Sequence, residues 1–423
     1  MIDVNLLRTN PEIAKDSQRR RGIEVSLVDK VLEADKKWRT LKGELDELRA
    51  ERNKLGEEIG KLKKKGENPV DILNRVSILS GKIKKQEEEL AELEQKRDKL
   101  LLEIPNILHE TVPQGKDEGE NVEIKKVGKP TKFPFQPKDH IDLGLNLDLF
   151  DVERAAKTSG ARFYFLKNEA VLLELALVQY AMDFLVKKQG FTPIIVPDLV
   201  KERSMYGVGM LPHSPNEIYK IENEDLYLVL TSEHAIAGMH MDETFKPDDL
   251  PKRYAGFSTC FRTEAGAHGR DTKGIFRVHQ FDKVEMFIFS KPEDSWKEHE
   301  KLLKNAEELV KGLELPYRIM NICTGDIGVV AAKKYDIDAW MPGQKAYREI
   351  ISCSNCTDFQ ARRLNIRILR NNKTEIAHTL NSTALAIGRT IVAILENYQN
   401  KDGSITVPKV LQKYTGFKKI GPK

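Results

Sequence analysis

A repeating hydrophobic seam near the start of the chain most strongly limits what the sequence can fold into. Between residues 31 and 62, apolar side chains recur at alternating intervals of three and four residues, interrupted only by Arg52. A second seam of the same spacing runs from residue 72 to residue 104. This spacing is typical of helices that pair along a narrow apolar stripe. The predicted seams are Val31, Ala34, Trp38, Leu41, Leu45, Leu48, Arg52, Leu55, Ile59, Leu62 and Ile72, Val76, Leu79, Ile83, Gln86, Leu90, Leu93, Arg97, Leu100, Ile104.

Two partners are open to these helices, namely each other or a second copy of the chain. The seams alone favour neither, because both arrangements bury the same stripe. The short break between the seams, Gly66-Glu67-Asn68-Pro69, has turn chemistry and returns the chain at once. This return favours an antiparallel coiled-coil hairpin over about residues 28–104.

Lysines gather near the predicted turn of this hairpin. We expect one basic cluster at the tip, because the returning helix brings further lysines back along the first. A charge run is more often only a solvated surface, but a basic end also suits contacts with phosphates. The cluster would contain Lys61, Lys63, Lys64, Lys65, Lys82, Lys84 and Lys85.

The rest of the chain has the pattern of a globular α+β domain. Pro105 ends the second helix, and residues 105–140 are rich in Pro, Gly and Lys, which indicates a linker. Beyond it, short strand-like segments are joined by short loops, so we expect a mainly antiparallel sheet. The predicted domains are 1–110 and 111–423. The clearest strands are predicted at 163–166, 226–230, 275–281 and 284–289, and the clearest helices at 170–187, 298–313 and 382–397.

Composition excludes several classes of protein. The net charge of +4 rules out a uniformly basic coat for nucleic acid, so any such contact needs a local patch. No apolar run approaches the ~18 residues of a membrane span, and no signal-peptide core is present, so a cytoplasmic protein without membrane contact is expected. Four cysteines make no disulfide framework. Cys353 and Cys356 form a C-x-x-C pair that lacks two further ligands nearby, so no structural zinc is expected.

One segment concentrates residues suited to binding a nucleotide. It reads Phe261-Arg262-Thr263-Glu264, then a glycine-rich basic loop at residues 265–274, then a strand with Phe281 and Glu285. A period of two places Arg262 with Glu264, and Phe281 with Glu285, on one face of paired strands. Such a set suits a phosphate, a purine ring and an ammonium or hydroxyl group. The alternative is an exposed hairpin with surface ion pairs.

A second segment places an arginine in an apolar helix, where burial of its charge would cost free energy. Arg389 falls inside a predicted helix that is apolar nearly all round. A buried guanidinium needs an anion, which could be a triphosphate or an internal carboxylate. No G-x-x-x-x-G-K-[ST] sequence occurs, so a P-loop enzyme is not expected.

These segments resemble a known family. F-R-T-E with its loop and F-D-K-V-E resembles motif 2 of the class II aminoacyl-tRNA synthetases, A-L-A-I-G-R resembles motif 3, and residues 190–200 resemble motif 1. Within that class, the helical hairpin, Thr231-Ser232-Glu233 and E-I-I-S-C-S-N-C-T-D-F-Q-A-R-R at residues 349–363 resemble the seryl-tRNA synthetases over essentially the whole chain.

The resemblance implies a function and roles for individual residues. ATP and L-serine would form seryl-adenylate, and serine would then pass to tRNA(Ser), with tRNA(Sec) left open as a second substrate. The hairpin would be a tRNA-binding arm, Glu349 would help to hold Mg²⁺ with ATP, and residues 170–200 would form a homodimer interface. Arg262 and Arg389 would act in catalysis. The ATP site would comprise Arg262, Thr263, Glu264, Val278, Phe281, Glu349, Ile350, Ile351, Ser352 and Arg389, and the serine site Thr231, Ser232, Glu233, Arg262, Glu285 and Thr383.

One departure from the family pattern and three rival functions remain. The family often has N-G-S-G before motif 3, where this chain has Asn381-Ser382-Thr383-Ala384, so the direct role of Thr383 is open. A ligase that charges a carrier protein would not need a long arm. A non-catalytic coiled-coil scaffold would be expected to lack Arg262 or Arg389. Other specificities of the class, such as threonyl or prolyl, lack this N-terminal hairpin.

Overall fold

A computed structural model describes residues 1–265 and 273–421 of the chain. It divides into two compact units, Met1–Pro105 and Asn106–Lys423. The sequence prediction places this division a few residues later, after residue 110. No helix of the described residues is both long and apolar enough to cross a membrane.

The first unit is helical, and its two long helices pair with each other. Its helices are α1 (Val4–Thr9), α2 (Pro11–Arg20), α3 (Ser26–Lys64) and α4 (Val70–Glu103). Every predicted seam position is buried or half-buried. Arg49 of α3 donates to Glu87 of α4 at 2.7 Å. Gly66, with a φ of +81°, occupies the left-handed region in the turn, where glycine carries no Cβ penalty. The antiparallel hairpin is confirmed, and the seam is buried within one chain.

The pairing register corrects the predicted lysine cluster. Because Arg49 lies level with Glu87, residues 82–85 lie level with about residues 51–54 of α3. At ~1.5 Å of rise per residue, this is roughly 15 Å from the lysines at residues 61–65. The basic tip therefore consists of Lys61, Lys63, Lys64 and Lys65 alone, all of them exposed.

The second unit combines helices with a large sheet. Its helices are α5 (His140–Asn146), α6 (Val152–Ser159), α7 (Glu169–Gln189), α8 (Glu202–Val208), α9 (Glu233–Gly238), α10 (Ser295–Gly312), α11 (Phe359–Leu364), α12 (Ile387–Asn397) and α13 (Gln412–Thr415). Its strands are β1 (Val122–Val127), β2 (Phe150–Asp151), β3 (Phe165–Leu166), β4 (Thr192–Ile195), β5 (Leu199–Val200), β6 (Tyr227–Leu228), β7 (Thr244–Phe245), β8 (Lys252–Phe261), β9 (Gln280–Ser290), β10 (Tyr317–Asn321), β11 (Lys333–Met341), β12 (Ala346–Thr357), β13 (Arg367–Arg370), β14 (Lys373–Ile376), β15 (His378–Ala386), β16 (Ile405–Thr406) and β17 (Lys419–Ile420).

Eight strands form the main sheet in the order β1-β10-β11-β12-β15-β9-β8-β4. Only β4 and β8 pair in parallel among these neighbours; the other pairs are antiparallel. Helices α7, α10 and α12 bury apolar residues in the same core as Val284, Met286 and Ile288 of β9. Because side chains alternate along a strand, the intervening residues Lys283 and Glu285 lie on the opposite face. The predicted α+β class with a mainly antiparallel sheet is confirmed, and the second face of β9 carries Lys283 and Glu285 before it enters another apolar cluster at Phe287.

Three predicted elements differ from the structure. The predicted linker contains β1, a six-residue strand of the sequence V-E-I-K-K-V whose residues are almost all exposed. The helix predicted at 382–397 begins at Ile387, because residues 382–386 continue β15 against β9. The strand predicted at 275–281 begins only at Gln280.

Candidate active site

Strand β9 forms the floor of a cleft on the face of the sheet that carries Lys283 and Glu285. Phe281, Lys283 and Glu285 alternate along it and all line the cleft. Lys283 Nζ lies 2.6 Å from Glu285 Oε2, and both side chains are buried. Thr383 is the residue of β15 directly opposite Glu285 and donates its hydroxyl to Glu285 Oε2 at 3.3 Å. A buried cation, a carboxylate and a hydroxyl are thus held in one group by strand pairing.

Arg262 and Glu264 reach the same cleft from beyond the end of β8. The Arg262 backbone N–H donates to the His279 carbonyl at 2.9 Å, and its guanidinium carbon lies 5.1 Å from the Phe281 ring centre. Glu264 has a φ of +51°, is buried, and accepts from Arg277. The prediction that Arg262 and Glu264 share a strand face is therefore wrong, although both line the cleft. Gly266, Gly269 and Arg270 of the predicted basic loop lie outside the described residues.

A β-bulge brings Glu349 and Ser352 of β12 to the same face. In a regular strand, residues three apart point to opposite faces. Here Ile337 of β11 pairs with Ile351, whereas the next residue, Asp338, pairs with Glu349, so Ile350 is the extra residue. Glu349 and Ser352 consequently both line the cleft, with the Glu349 side chain 46% exposed. Desolvation opposes ionisation of Glu349, yet the cations Arg389 and Lys334 outweigh it and lower its pKa.

Arg389 lies in the first turn of α12 and is only partly buried. Its guanidinium donates to the Glu349 carbonyl at 2.9 Å, lies 3.6 Å from Glu349 Oε1, and has its carbon 5.0 Å from the Phe276 ring centre. Arg389 does lie in an apolar helix, as predicted, but its guanidinium is not fully buried, because the helix begins only two residues before it. The arginine has a carboxylate partner and still faces the cleft.

The cleft consists of two adjoining pockets. The first, here called the aromatic pocket, is lined by Phe276, Val278, Phe281 and Arg389 among others. The second, here called the acidic pocket, is lined by Thr231, Glu233, Glu285 and Ser352 among others. The residues that line both mark the junction between the pockets, and they are Arg262, Glu264, Arg277, Lys283, Glu349 and Thr383.

Glu233 is another carboxylate of the acidic pocket. Its Oε1 accepts from Gln360 Nε2 at 2.6 Å and from Asn381 Nδ2 at 3.1 Å. Burial and the nearby Glu285 carboxylate raise the pKa of Glu233 to about 7. The backbone N–H of Glu233 donates to Thr231 Oγ1 at 3.3 Å, at the start of α9. The pocket therefore offers oxygen acceptors to an ammonium or a hydroxyl group.

Three predicted site residues lie elsewhere. Ser232 is fully buried and directed at the Gly256 carbonyl, 3.5 Å away. Ile351 lies in the apolar core and lines neither pocket, whereas Ile350, which was also predicted, lines the aromatic pocket. Thr263 donates its hydroxyl to the Asn216 carbonyl and lines neither pocket.

Among the residues that sequence reasoning missed, three polar or aromatic ones line the cleft and one supports it from behind. Lys283 could have been found, because it lies between Phe281 and Glu285 in a period of two. Phe276 and Arg277 belong to a segment that was predicted to be regular strand and is not. Gln360 comes from α11 and meets Glu233 only in the folded chain, so no local pattern signals it.

The cysteines are single buried thiols in this structure. Cys353 lies in the core and Cys356 lines the acidic pocket, and burial raises the pKa of both thiols. Within residues 1–265 and 273–421, no group of three or more His, Cys, Asp or Glu side chains is placed to hold a metal ion.

Comparison with known proteins agrees with this geometry. The family model of the tRNA synthetase class II core domain (G, H, P, S and T) matches residues 218–398, which contain the cleft. The model of the seryl-tRNA synthetase N-terminal domain matches residues 1–108. Fold and site thus define a class II aminoacyl-tRNA synthetase. A serine–tRNA ligase from Pyrococcus horikoshii is 50% identical over 446 residues, covering 100% of this chain and 98% of the relative. The chain belongs to the seryl-tRNA synthetase family.

Solved structures show the same similarity. The crystal structure of seryl-tRNA synthetase from Pyrococcus horikoshii complexed with ATP has a TM-score of 0.94 and 51% identity, covering 100% of both chains. The cytoplasmic serine–tRNA ligase from Naegleria fowleri in complex with AMP has a TM-score of 0.89 and 40% identity, covering 100% of this chain and 99% of that one.

Proposed function

We propose that this enzyme activates L-serine with ATP and transfers it to tRNA(Ser). The observation that carries the proposal is the junction of the two pockets, where Arg262 and Lys283 lie between the aromatic pocket and the carboxylates Glu233 and Glu285 of the acidic pocket. An adenine ring fits between Phe281 and Arg389, since both present flat π-faces to one pocket. The ATP and AMP in the related crystal structures support a nucleotide at this place.

Glu233 and Glu285 would recognise serine itself. A carboxylate pair can accept from both the ammonium and the hydroxyl of the amino acid. When alanine enters a site built for a hydroxyl, the buried acceptor is left unpaired, which disfavours alanine strongly. Thr383, hydrogen-bonded to Glu285, would help to set the position of that carboxylate.

The reaction would proceed by two substitutions without an enzyme nucleophile. An oxygen of the serine carboxylate attacks the α-phosphorus of ATP, and the bond to pyrophosphate breaks. The terminal ribose hydroxyl of the tRNA then attacks the carbonyl carbon of seryl-adenylate, and AMP leaves. Arg262 and Arg389 would stabilise the phosphate charge that develops, and the pockets would hold both substrates in line.

Mg²⁺ is part of the proposal. The bulge at Ile350 places the oxygens of Glu349 and Ser352 on one face of the cleft, and hard oxygen donors are what Mg²⁺ prefers. When bound there with ATP, the ion would neutralise phosphate charge.

The remaining partners follow from the function. The coiled-coil hairpin would bind tRNA away from its acceptor end, and two copies would associate through residues 170–200. The cytoplasm, where translation takes place, is the location that this function requires. Charging of tRNA(Sec) would use the same cleft.

Exchange of pyrophosphate into ATP tests the activation step. We expect exchange that depends on serine and is weak with alanine, threonine and cysteine. Charging of tRNA by the purified chain tests the transfer step. Exchange without charging of any tRNA would favour the alternative of a ligase for a carrier protein, and the absence of serine-dependent exchange would refute the proposal.

A further inference from the structure

Gln360 carries a buried side-chain amide that bonds to Glu233 of the acidic pocket without lining the pocket itself. It lies on α11 and is fully buried. Its Nε2 donates to Glu233 Oε1 at 2.6 Å and to the Val208 carbonyl at 3.3 Å. Its Oε1 accepts from the hydroxyl of Thr379, also fully buried, at 2.7 Å.

The partners of this amide determine which way it points. An ionised carboxylate can only accept hydrogen bonds, so the amide nitrogen must face Glu233. The Thr379 hydroxyl can donate, which suits the amide oxygen on the other side. Thr379, Gln360 and Glu233 therefore form a chain of hydrogen bonds with one direction.

The chain leaves one oxygen of Glu233 free for substrate. Both amide donors, from Gln360 and Asn381, bond to Oε1. No hydrogen bond to Oε2 comes from any residue that the structure describes, and Glu233 lines the acidic pocket. A carboxylate held at one oxygen and open at the other is oriented for a single further contact.

We propose that Gln360 is a positioning residue for serine recognition, which keeps Glu233 ionised and directs its Oε2 toward the serine ammonium. The inference rests on the proposed function. It adds that specificity for serine depends on a residue that does not line the pocket.

Ionisation of Glu233 is the quantity that the amide controls. Burial and Glu285 favour the protonated form, whereas a hydrogen bond from Gln360 favours the carboxylate. The charged or titratable groups that face Glu233 are Lys283 and Glu285 of β9, Arg262 beyond β8, Cys356 of β12 and His234 on its own helix. Lys283 and Arg262 support the carboxylate, while burial lowers the pKa of His234 to about 3, which keeps it neutral at pH 7.

Kinetics of serine-dependent exchange between pH 6 and pH 8.5 test the proposal in the full chain. In the unmodified enzyme, the KM for serine should fall as the pH rises through about 7, since Glu233 then ionises. In Gln360→Met, which keeps the length but not the donor, we expect a KM for serine raised ~10-fold at pH 7 and a profile displaced to higher pH. The KM for ATP should stay unchanged.

Gln360→Glu should reverse the direction in which the KM for serine changes with pH. A protonated glutamic acid can still donate to Glu233, but an ionised one repels it, so the KM for serine should rise with pH. Thr379→Val leaves the amide in place and removes the donor that orients it, so we expect a smaller rise, ~3-fold. These two variants decide the question if Gln360→Met fails to fold.

Gln399 supplies the matched control. It is also buried, and among the described residues its side chain bonds to backbone groups of Lys138 and Glu396. Gln399→Met should lower the melting temperature by a similar amount but keep the wild-type KM and pH profile for serine. A Gln360→Met or Thr379→Val enzyme with an unchanged serine KM and pH profile would overturn the inference. Absence of serine-dependent exchange in the unmodified enzyme would instead refute the proposed function.

Discussion

At the scale of single residues, Glu285 and Glu233 of the acidic pocket differ in the groups that bond to them. Glu285 has the buried ammonium of Lys283 at 2.6 Å, whereas Glu233 has two neutral amides. A charged partner stabilises an ionised carboxylate more than an amide does. Glu285 thus has a fixed cationic partner, and Glu233 is the group whose charge follows pH near neutrality.

Glu285→Gln should weaken the binding of serine far more than that of ATP. The substitution removes an acceptor in the acidic pocket and leaves the aromatic pocket intact, so we expect the KM for serine to rise ~10-fold or more. Steady-state exchange kinetics measure both KM values. Glu264→Gln is the matched control, since it removes the partner of Arg277 and should affect ATP instead. The opposite pattern for Glu285→Gln would assign this residue to the nucleotide.

Arg262→Ala should abolish adenylate formation without unfolding the protein. The guanidinium lies at the junction of the pockets, and loss of one contact to developing charge typically costs about 3 kcal/mol, roughly a 100-fold loss of rate. Serine-dependent exchange and thermal melting are the measurements. Exchange within a few-fold of wild type at an unchanged melting temperature would disprove this role.

At the scale of elements, a helix, strand or contact could be predicted when neighbouring residues in the sequence determine it. The pairing of α3 with α4 follows from a heptad pattern and an adjacent turn, so the sequence sufficed. The bulge at Ile350 and the contact of Gln360 with Glu233 arise from pairing between distant segments, which no local periodicity encodes. Strand β1 was missed because it is exposed on both faces. The cleft residues were predicted mainly through the family resemblance, and the three misplaced ones are neighbours of residues that do line the pockets.

The hairpin should be separable from the activation step. Since it belongs to a compact unit of its own, replacing residues 28–104 by a short linker should leave serine-dependent exchange near normal and abolish the charging of tRNA. Exchange and aminoacylation assays on the same preparation measure the two effects.

A milder variant isolates the basic tip. Lys61, Lys63, Lys64 and Lys65 are exposed and form no ion pair with any residue the structure describes, so changing all four to Glu should weaken charging and leave exchange intact. The loss should be larger at low salt and smaller at high salt, because salt weakens the lysine–phosphate contacts of the unmodified chain and screens the repulsion in the variant. Near-normal charging by the variant without the hairpin would show that the arm does not serve tRNA.

At the scale of the whole molecule, α7 and β4 expose an apolar surface that a second copy of the chain would cover. Leu172 and Leu175 of α7 are 47% and 60% exposed, and Ile195 of β4 is 81% exposed. Strand β4 is the last of the main sheet, so one of its edges pairs with no strand of the described residues. Exposed apolar residues beside an open edge are unusual in a monomer, which supports the proposed homodimer.

Leu175→Glu combined with Ile195→Glu should give a monomer. Light scattering at micromolar concentration should report about twice 48.3 kDa for the unmodified chain and half that mass for the variant. Leu369→Glu is the matched control, because Leu369 is 45% exposed on β13, a strand of a different sheet from β4, and should leave the dimer intact. An unmodified monomer that still forms seryl-adenylate would contradict the proposal.

The position of β1 in the sheet sets the order in which the chain can fold during synthesis. The hairpin needs only its own neighbouring residues, and local contacts of this kind form fast. Strand β1 emerges soon afterwards, but its partner β10 is made only after most of the catalytic unit has been synthesised. Until β10 has been synthesised, β1 has no strand partner, and unpaired strand edges are prone to aggregation. Lys125 and Lys126 put charge on this unpaired strand. Lysines on an open edge disfavour pairing with other chains, so these two residues protect the nascent protein from aggregation.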